Sequence, residues 1–193
     1  MSKNRLEAFS DGVLAIVITI MVLEFHIPNG TTFSSLKQIT PDFLSYVLSF
    51  FYLAIYWNNH HHMLHTCKRV TGPILWGNLH LLFWLSLIPF ATAWMGEAHF
   101  SKQPTTLYGV ILLMAGFAYW LLQGQIIASQ GKDSLLKKAI GNDWKGKSSQ
   151  VIYLAAVLLC QLSPWIALGL YLLVAIMWVI PDTRIERMMH SDS

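Results

Sequence analysis

Long apolar runs with almost no charge alternate with short segments that hold nearly all the Lys, Arg, Asp and Glu. This partition constrains the fold more than any other feature. A bilayer core of about 30 Å takes roughly 20 mostly apolar residues per helix, and the runs are close to that length. Charged residues make up 12% of the chain and hydrophobic residues 54%. Soluble domains carry about twice that charge. A chain divided in this way belongs partly in hydrocarbon and partly in water, which predicts a multi-pass protein of the cell membrane.

The first run covers about Leu6–Phe25 and stops at His26-Ile27-Pro28-Asn29-Gly30, where Pro and Gly end helices. The next three cover about Phe43–Thr66, Pro73–Met95 and Thr105–Ser129. After a polar stretch, Gln130–Lys147, come Gln150–Leu162 and Trp165–Ile180, separated only by Ser163-Pro164. This last pair reads as two short spans, with one long kinked helix as the competing reading. Glu24-Phe25-His26 is a poor small-residue cleavage site, so the first run is expected to be a retained helix and not a signal peptide.

Orientation follows from the cations. Eleven of the thirteen Lys and Arg fall on one side of the predicted spans: Lys3 and Arg5, Lys68 and Arg69, five lysines from Lys132 to Lys147, then Arg184 and Arg187. The other side has Lys37 and Lys102. The positive-inside rule puts both termini in the cytoplasm, which needs an even number of spans. The expectation is one all-α domain over residues 1–193 with six transmembrane helices. The basic segments should draw anionic lipid at the cytoplasmic face. They are scattered over loops and carry no nucleic-acid signature. Trp76, Trp94, Trp165 and Trp178 lie near predicted helix ends, as headgroup-level anchors do.

The most unusual local sequence is Arg5-Leu6-Glu7-Ala8-Phe9-Ser10-Asp11-Gly12. Ionisable groups at membrane depth need a partner or water. Above it, Gly12, Ile16, Thr19, Ile20 and Leu23 fall on one helical stripe, with Asp11 expected to point into the protein. Taken alone, such a stripe reads as packing or lipid contact. The second run ends in another polar cluster, Trp57-Asn58-Asn59-His60-His61-His62 and His65. His60–His65 and Ser10–Asp11 share a depth and are expected to meet in one network, with Arg5 as a possible member. His61 and His65 at i, i+4, with His80, make a metalloenzyme an alternative. A proton path through Asp11 or the histidines is another. No cofactor motif, nucleotide-binding loop or nucleophile elbow is present, and the two cysteines, Cys67 and Cys160, suggest neither a disulfide framework nor a metal finger.

Arg5 with Phe9-Ser10-Asp11-Gly12 in a first membrane helix, and Trp57 with His60-His61 in the second, resembles the endolysosomal potassium channel family (transmembrane protein 175) in its single-repeat prokaryotic form. The resemblance implies a homotetramer that conducts potassium through a pore lined by the first helix of each subunit. It implies no Thr-Val-Gly-Tyr-Gly filter, and none occurs here. Matched residue by residue, Ile16 takes the narrowest position, Ile20 and Leu23 form further apolar rings, and Thr19 matches a threonine tied to potassium preference. Ala15 falls where some relatives have serine. The implied function is a potassium-preferring channel without catalysis, resident metal or cofactor.

Overall fold

The first apolar run folds as α1 (Lys3–Leu23), 21 residues long and so about 31 Å at 1.5 Å per residue. The computed structural model describes residues 2–131, 134–141 and 143–179. Leu6, Ser10, Leu14, Val17 and Met21 are the buried residues of α1. Their spacing of three and four makes one stripe against the bundle. After α1, a 3₁₀ segment (Phe33–Ile39) leads into α2 (Thr40–His65). Pro41 sits in the first turn of α2, where its missing N–H is harmless. The two helices run antiparallel. Lys3 Nζ donates to the His65 carbonyl at 2.8 Å at one end, and the Phe25 and Tyr46 rings meet at 5.2 Å at the other.

The third run, expected as one helix, is two: α3 (Gly72–Ser86) and α4 (Ile88–Glu97). Pro89 is the cause. It has no N–H to offer the Leu85 carbonyl, and its ring would crowd that turn. The Leu87 N–H closes a tighter turn onto Trp84 O at 3.2 Å, and Ala91 N restarts the ladder on Leu87 O. The kinked segment Gly72–Glu97 is still long and apolar enough to cross a membrane. Gly96 lets α4 approach α2 closely, since a Cβ there would lie 2.8 Å from the Asp42 Cα.

Helix α5 (Lys102–Gln130) is the longest, at 29 residues. The polar stretch after it contains the short α6 (Leu135–Ile140), capped by Ser134 Oγ, which accepts from Lys137 N. The Asp143 carboxylate then caps α7 (Trp144–Leu159) by accepting from Gly146 N. A turn at Cys160–Ser163 separates α7 from α8 (Pro164–Val179). Trp178, near the end of α8, donates its Nε1–H to Ser149 near the start of α7 at 2.8 Å. The two helices are therefore antiparallel, and the single kinked helix is excluded. Trp178 is an inter-helix tie, whereas Trp76, Trp94 and Trp165 are exposed.

Among the described residues, four segments have the length and apolarity to cross a membrane. Helices α7 and α8 have 16 residues each, or about 24 Å. Ile180, the last residue of the expected sixth run, lies outside the described residues, as do Lys132, Arg184 and Arg187. Buried hydroxyls tie the core where no water can satisfy them. Ser49 Oγ lies 2.7 Å from Thr92 Oγ1 and 3.0 Å from the Tyr108 hydroxyl, joining α2, α4 and α5.

Candidate functional site

Helix α1 has two unlike faces. Opposite its buried stripe, Gly12, Ala15, Ile16, Thr19, Ile20 and Leu23 are all exposed, Ile16 by 60% and Leu23 by 75%. The stripe derived from helical geometry is thus one continuous uncovered face of the single chain. Phe9 is also exposed, and nothing lies within 4 Å of a Cβ placed on Gly12. In a membrane chain such a face meets lipid, another subunit or a water-filled path. Thr19 Oγ1 donates its proton to the Ala15 carbonyl at 2.8 Å. The hydroxyl oxygen then has only lone pairs to offer outward, the character a cation requires.

The buried face is anchored by a polar chain. Ser10 is 0% exposed, and its Oγ donates to Leu6 O at 2.8 Å. Its proton is thereby committed, so it accepts from Asn78 Nδ2, at 2.9 Å. That orientation turns Asn78 Oδ1 toward His60 Nε2, 2.6 Å away. An amide oxygen only accepts, so the His60 proton sits on Nε2. Asn78 and His60 are 0% and 2% exposed. The chain Ser10–Asn78–His60 fastens α1 to α3 and α2 at one level.

The expected meeting of Ser10 with the histidine cluster is therefore present, and Asn78 mediates it. Asn78 was missed at the sequence level. The available signal was a lone amide inside the apolar run Leu75–Leu82, since a polar side chain at membrane depth needs a partner. Two other expectations are corrected. Asp11 does not point into the protein: one residue, or 100°, beyond buried Ser10, it is exposed on the flank of α1. There its Oδ1 accepts from Trp57 Nε1 at 3.0 Å. Arg5 is exposed and stands outside both sets of bonds. Trp57 stacks on His61 with ring centres 6.3 Å apart, and His61 is 6.3 Å from His65. Asp11, Trp57, His61 and His65 thus form an exposed strip along α1 and α2. His80 instead accepts from Trp84 Nε1 at 2.9 Å. Among the described residues no three His, Cys, Asp or Glu side chains are grouped to hold a metal ion, so the geometry does not support the metalloenzyme alternative.

The family model for the endosomal/lysosomal potassium channel TMEM175 matches residues 5–89, which contain the whole anchor and the exposed stripe. A potassium channel of Chryseobacterium sp. (strain P1-3) is 53% identical, over 97% of this chain and 97% of its own length. The bovine endosomal/lysosomal proton channel TMEM175 is 33% identical over 54% of this chain and 24% of its own length. The crystal structure of a lysosomal potassium-selective channel TMEM175 homolog from Chamaesiphon minutus superposes with a TM-score of 0.80 at 27% identity. That match covers 93% of this chain and 97% of the other. With near-complete coverage by a close relative and a shared fold, this membrane protein belongs to the TMEM175 family.

Proposed function

We propose that the chain is a potassium-preferring cation channel of the cell membrane that conducts passively as a homotetramer, with α1 of each subunit lining the pore. The observation that carries this reading is the uncovered face of α1, where Ile16, Thr19, Ile20 and Leu23 align on a helix otherwise fastened into the bundle. The chain forms one six-helix unit over residues 1–193, with α3 and α4 as one kinked span, α7 and α8 as the short fifth and sixth, and both termini cytoplasmic. Membership of the family, together with relatives named as potassium channels, supports the choice of ion.

The mechanism follows from that face. Ile16 to Leu23 is seven residues, about 10 Å of apolar tube. A ring of four isoleucines offers no oxygen to replace an ion's hydration, so a narrow tube of this kind closes by dewetting. Small splaying or rotation of four α1 helices widens and rewets it. Thr19 is the one side chain on the stripe with an oxygen, and its proton is turned back to Ala15 O. Four such oxygens coordinate weakly, which favours potassium modestly because it sheds water more cheaply than sodium. Gly12 keeps the cytoplasmic mouth wide. Ser10–Asn78–His60 holds the non-pore side of α1 while the pore side moves. Lys137, Lys138, Lys145 and Lys147 face anionic lipid at the cytoplasmic surface.

Replacing Ile16 with Asn puts four hydrogen-bonding side chains in the narrowest ring and should raise single-channel activity several-fold. Unchanged flux in both Ile16→Asn and Leu23→Asn would remove α1 from the pore. A second reading, proton conduction, has its own support in the strip Asp11–Trp57–His61–His65. A pH-gradient dye assay in potassium-free vesicles separates the two, since a pure potassium pathway leaves the dye unmoved.

A further inference from the structure

Between α2, α5, α6, α7 and α8 lies a cavity of about 380 Å³ to which α1 contributes no residue. Its size falls in the range of small-molecule sites, about 300–1,000 Å³. Its walls are largely apolar and aromatic, with Phe117 and Trp120 on α5 at 5.8 Å from each other and largely exposed, so that they form an outer lip. Polar side chains interrupt this lining, Gln123 and Tyr56 among them. Gln123 on α5 is 6% exposed and Tyr56 on α2 is 9% exposed. Among the described residues neither the Gln123 amide nor the Tyr56 hydroxyl has a hydrogen-bond partner. Buried polar groups are nearly always paired, and two others on the same walls, Tyr119 and Gln150, are. Tyr119 donates to Asn59 O at 3.2 Å. The Gln150 amide, oriented so that its nitrogen donates to Leu113 O and its oxygen accepts from Phe117 N, bonds at 3.2 and 3.1 Å. Gln123 and Tyr56 are thus two polar groups open to a ligand.

Charge narrows the choice. Among the described residues the charged lining is Asp143 and Lys147, which are of opposite sign. The two offset each other, so this lining has no net charge to balance an ionised head, whose burial would be costly, and the fitting head is neutral. An amide and a phenol together can donate to a carbonyl or hydroxyl oxygen and accept a hydroxyl proton. We propose that this cavity binds a neutral single-tailed amphiphile drawn from the membrane, such as a monoacylglycerol or long-chain alcohol. Its hydroxyl or carbonyl head sits on Gln123 and Tyr56, and its tail passes Phe117 and Trp120.

The test is photolabelling of the full chain in phosphatidylcholine vesicles with diazirine-bearing hexadecanol, mapped by peptide mass spectrometry. Label is expected on the α5 segment 117–123 and on facing residues of α2 and α7, and monoolein should compete it away. Gln123→Leu and Tyr56→Phe, both nearly isosteric, should each lower labelling by a factor of about three to ten, the effect of one lost hydrogen bond. Phe90→Leu, on α4 and outside the cavity, should leave it unchanged. The corresponding diazirine fatty acid at pH 8, where its head is ionised, should label less than the alcohol. Labelling unaltered by both cavity substitutions, in protein that elutes as the parent does, would overturn the site. Stronger labelling by the ionised acid would overturn the neutral head.

Discussion

Replacing Asn78 with Ala removes an amide that holds two side chains at once. The bond from Nδ2 to Ser10 is worth about 0.6 kcal/mol, the average for side-chain bonds within membranes. The larger loss is at His60, whose Nε2–H would be left 2% exposed with nothing to donate to. An unsatisfied buried donor costs about 1–3 kcal/mol. Together with the small void, Asn78→Ala should destabilise by about 3 kcal/mol, or roughly 6–12 °C in melting temperature for a chain of this size. Trp57→Phe is the contrast. It loses one bond to Asp11 at an exposed site and should cost about 0.5–1 kcal/mol. The assay is unfolding in mixed micelles titrated with dodecyl sulfate, followed by circular dichroism. Ser10→Ala in the same series completes a double-mutant cycle, and its effect should add poorly to that of Asn78→Ala because both remove the same bond. An Asn78→Ala loss no larger than that of Trp57→Phe, or full additivity with Ser10→Ala, would refute the anchoring role.

Gly96→Ala should cost about 1–3 kcal/mol, because the new methyl meets the Asp42 backbone at 2.8 Å and backbone yields poorly; a neutral result in the same unfolding titration would contradict the close approach of α4 to α2. Trp178→Phe should lose about 1 kcal/mol with its bond to Ser149, whereas Trp165→Phe, at an exposed ring, should lose almost nothing. Equal losses would argue against α7 and α8 as an antiparallel pair. Burial pushes the Cys67 thiol up from its ordinary value, so less thiolate is present at neutral pH. In a Cys160→Ala background, alkylation of Cys67 by iodoacetamide should be slower at pH 7 than for a free thiol and should still be climbing at pH 9. A neutral-pH rate equal to that of free cysteine would contradict the burial.

What could be read from the sequence depended on how local the controlling physics was. The spans of α1, α2 and α5 were legible because a run of about 20 apolar residues in a bilayer has few alternatives to a helix. The exposed stripe of α1 was legible from 100° periodicity alone, although nothing in Ile, Thr and Leu announced that it would be uncovered. The break at Pro89 was passed over because a membrane helix can absorb a proline in its interior, and only the neighbouring turns decide whether it does. Asp11 was assigned inward by angle, but its partner, Trp57, reaches it from the flank of α2. That choice belongs to packing. The same holds for Asn78, whose role depends on three helices meeting at one level. The cavity floor of Gln123 and Tyr56 is wholly tertiary, since the two residues lie 67 positions apart on α2 and α5.

The most direct test is the reversal potential of the reconstituted protein under opposed potassium and sodium gradients, recorded for the parent chain and for Ile16→Asn. The account predicts reversal displaced toward the potassium equilibrium value, with a larger current at Ile16→Asn. A reversal that follows sodium, or a current indifferent to the residue at 16 in protein shown to be inserted, would contradict a potassium-preferring pore walled by the uncovered face of α1.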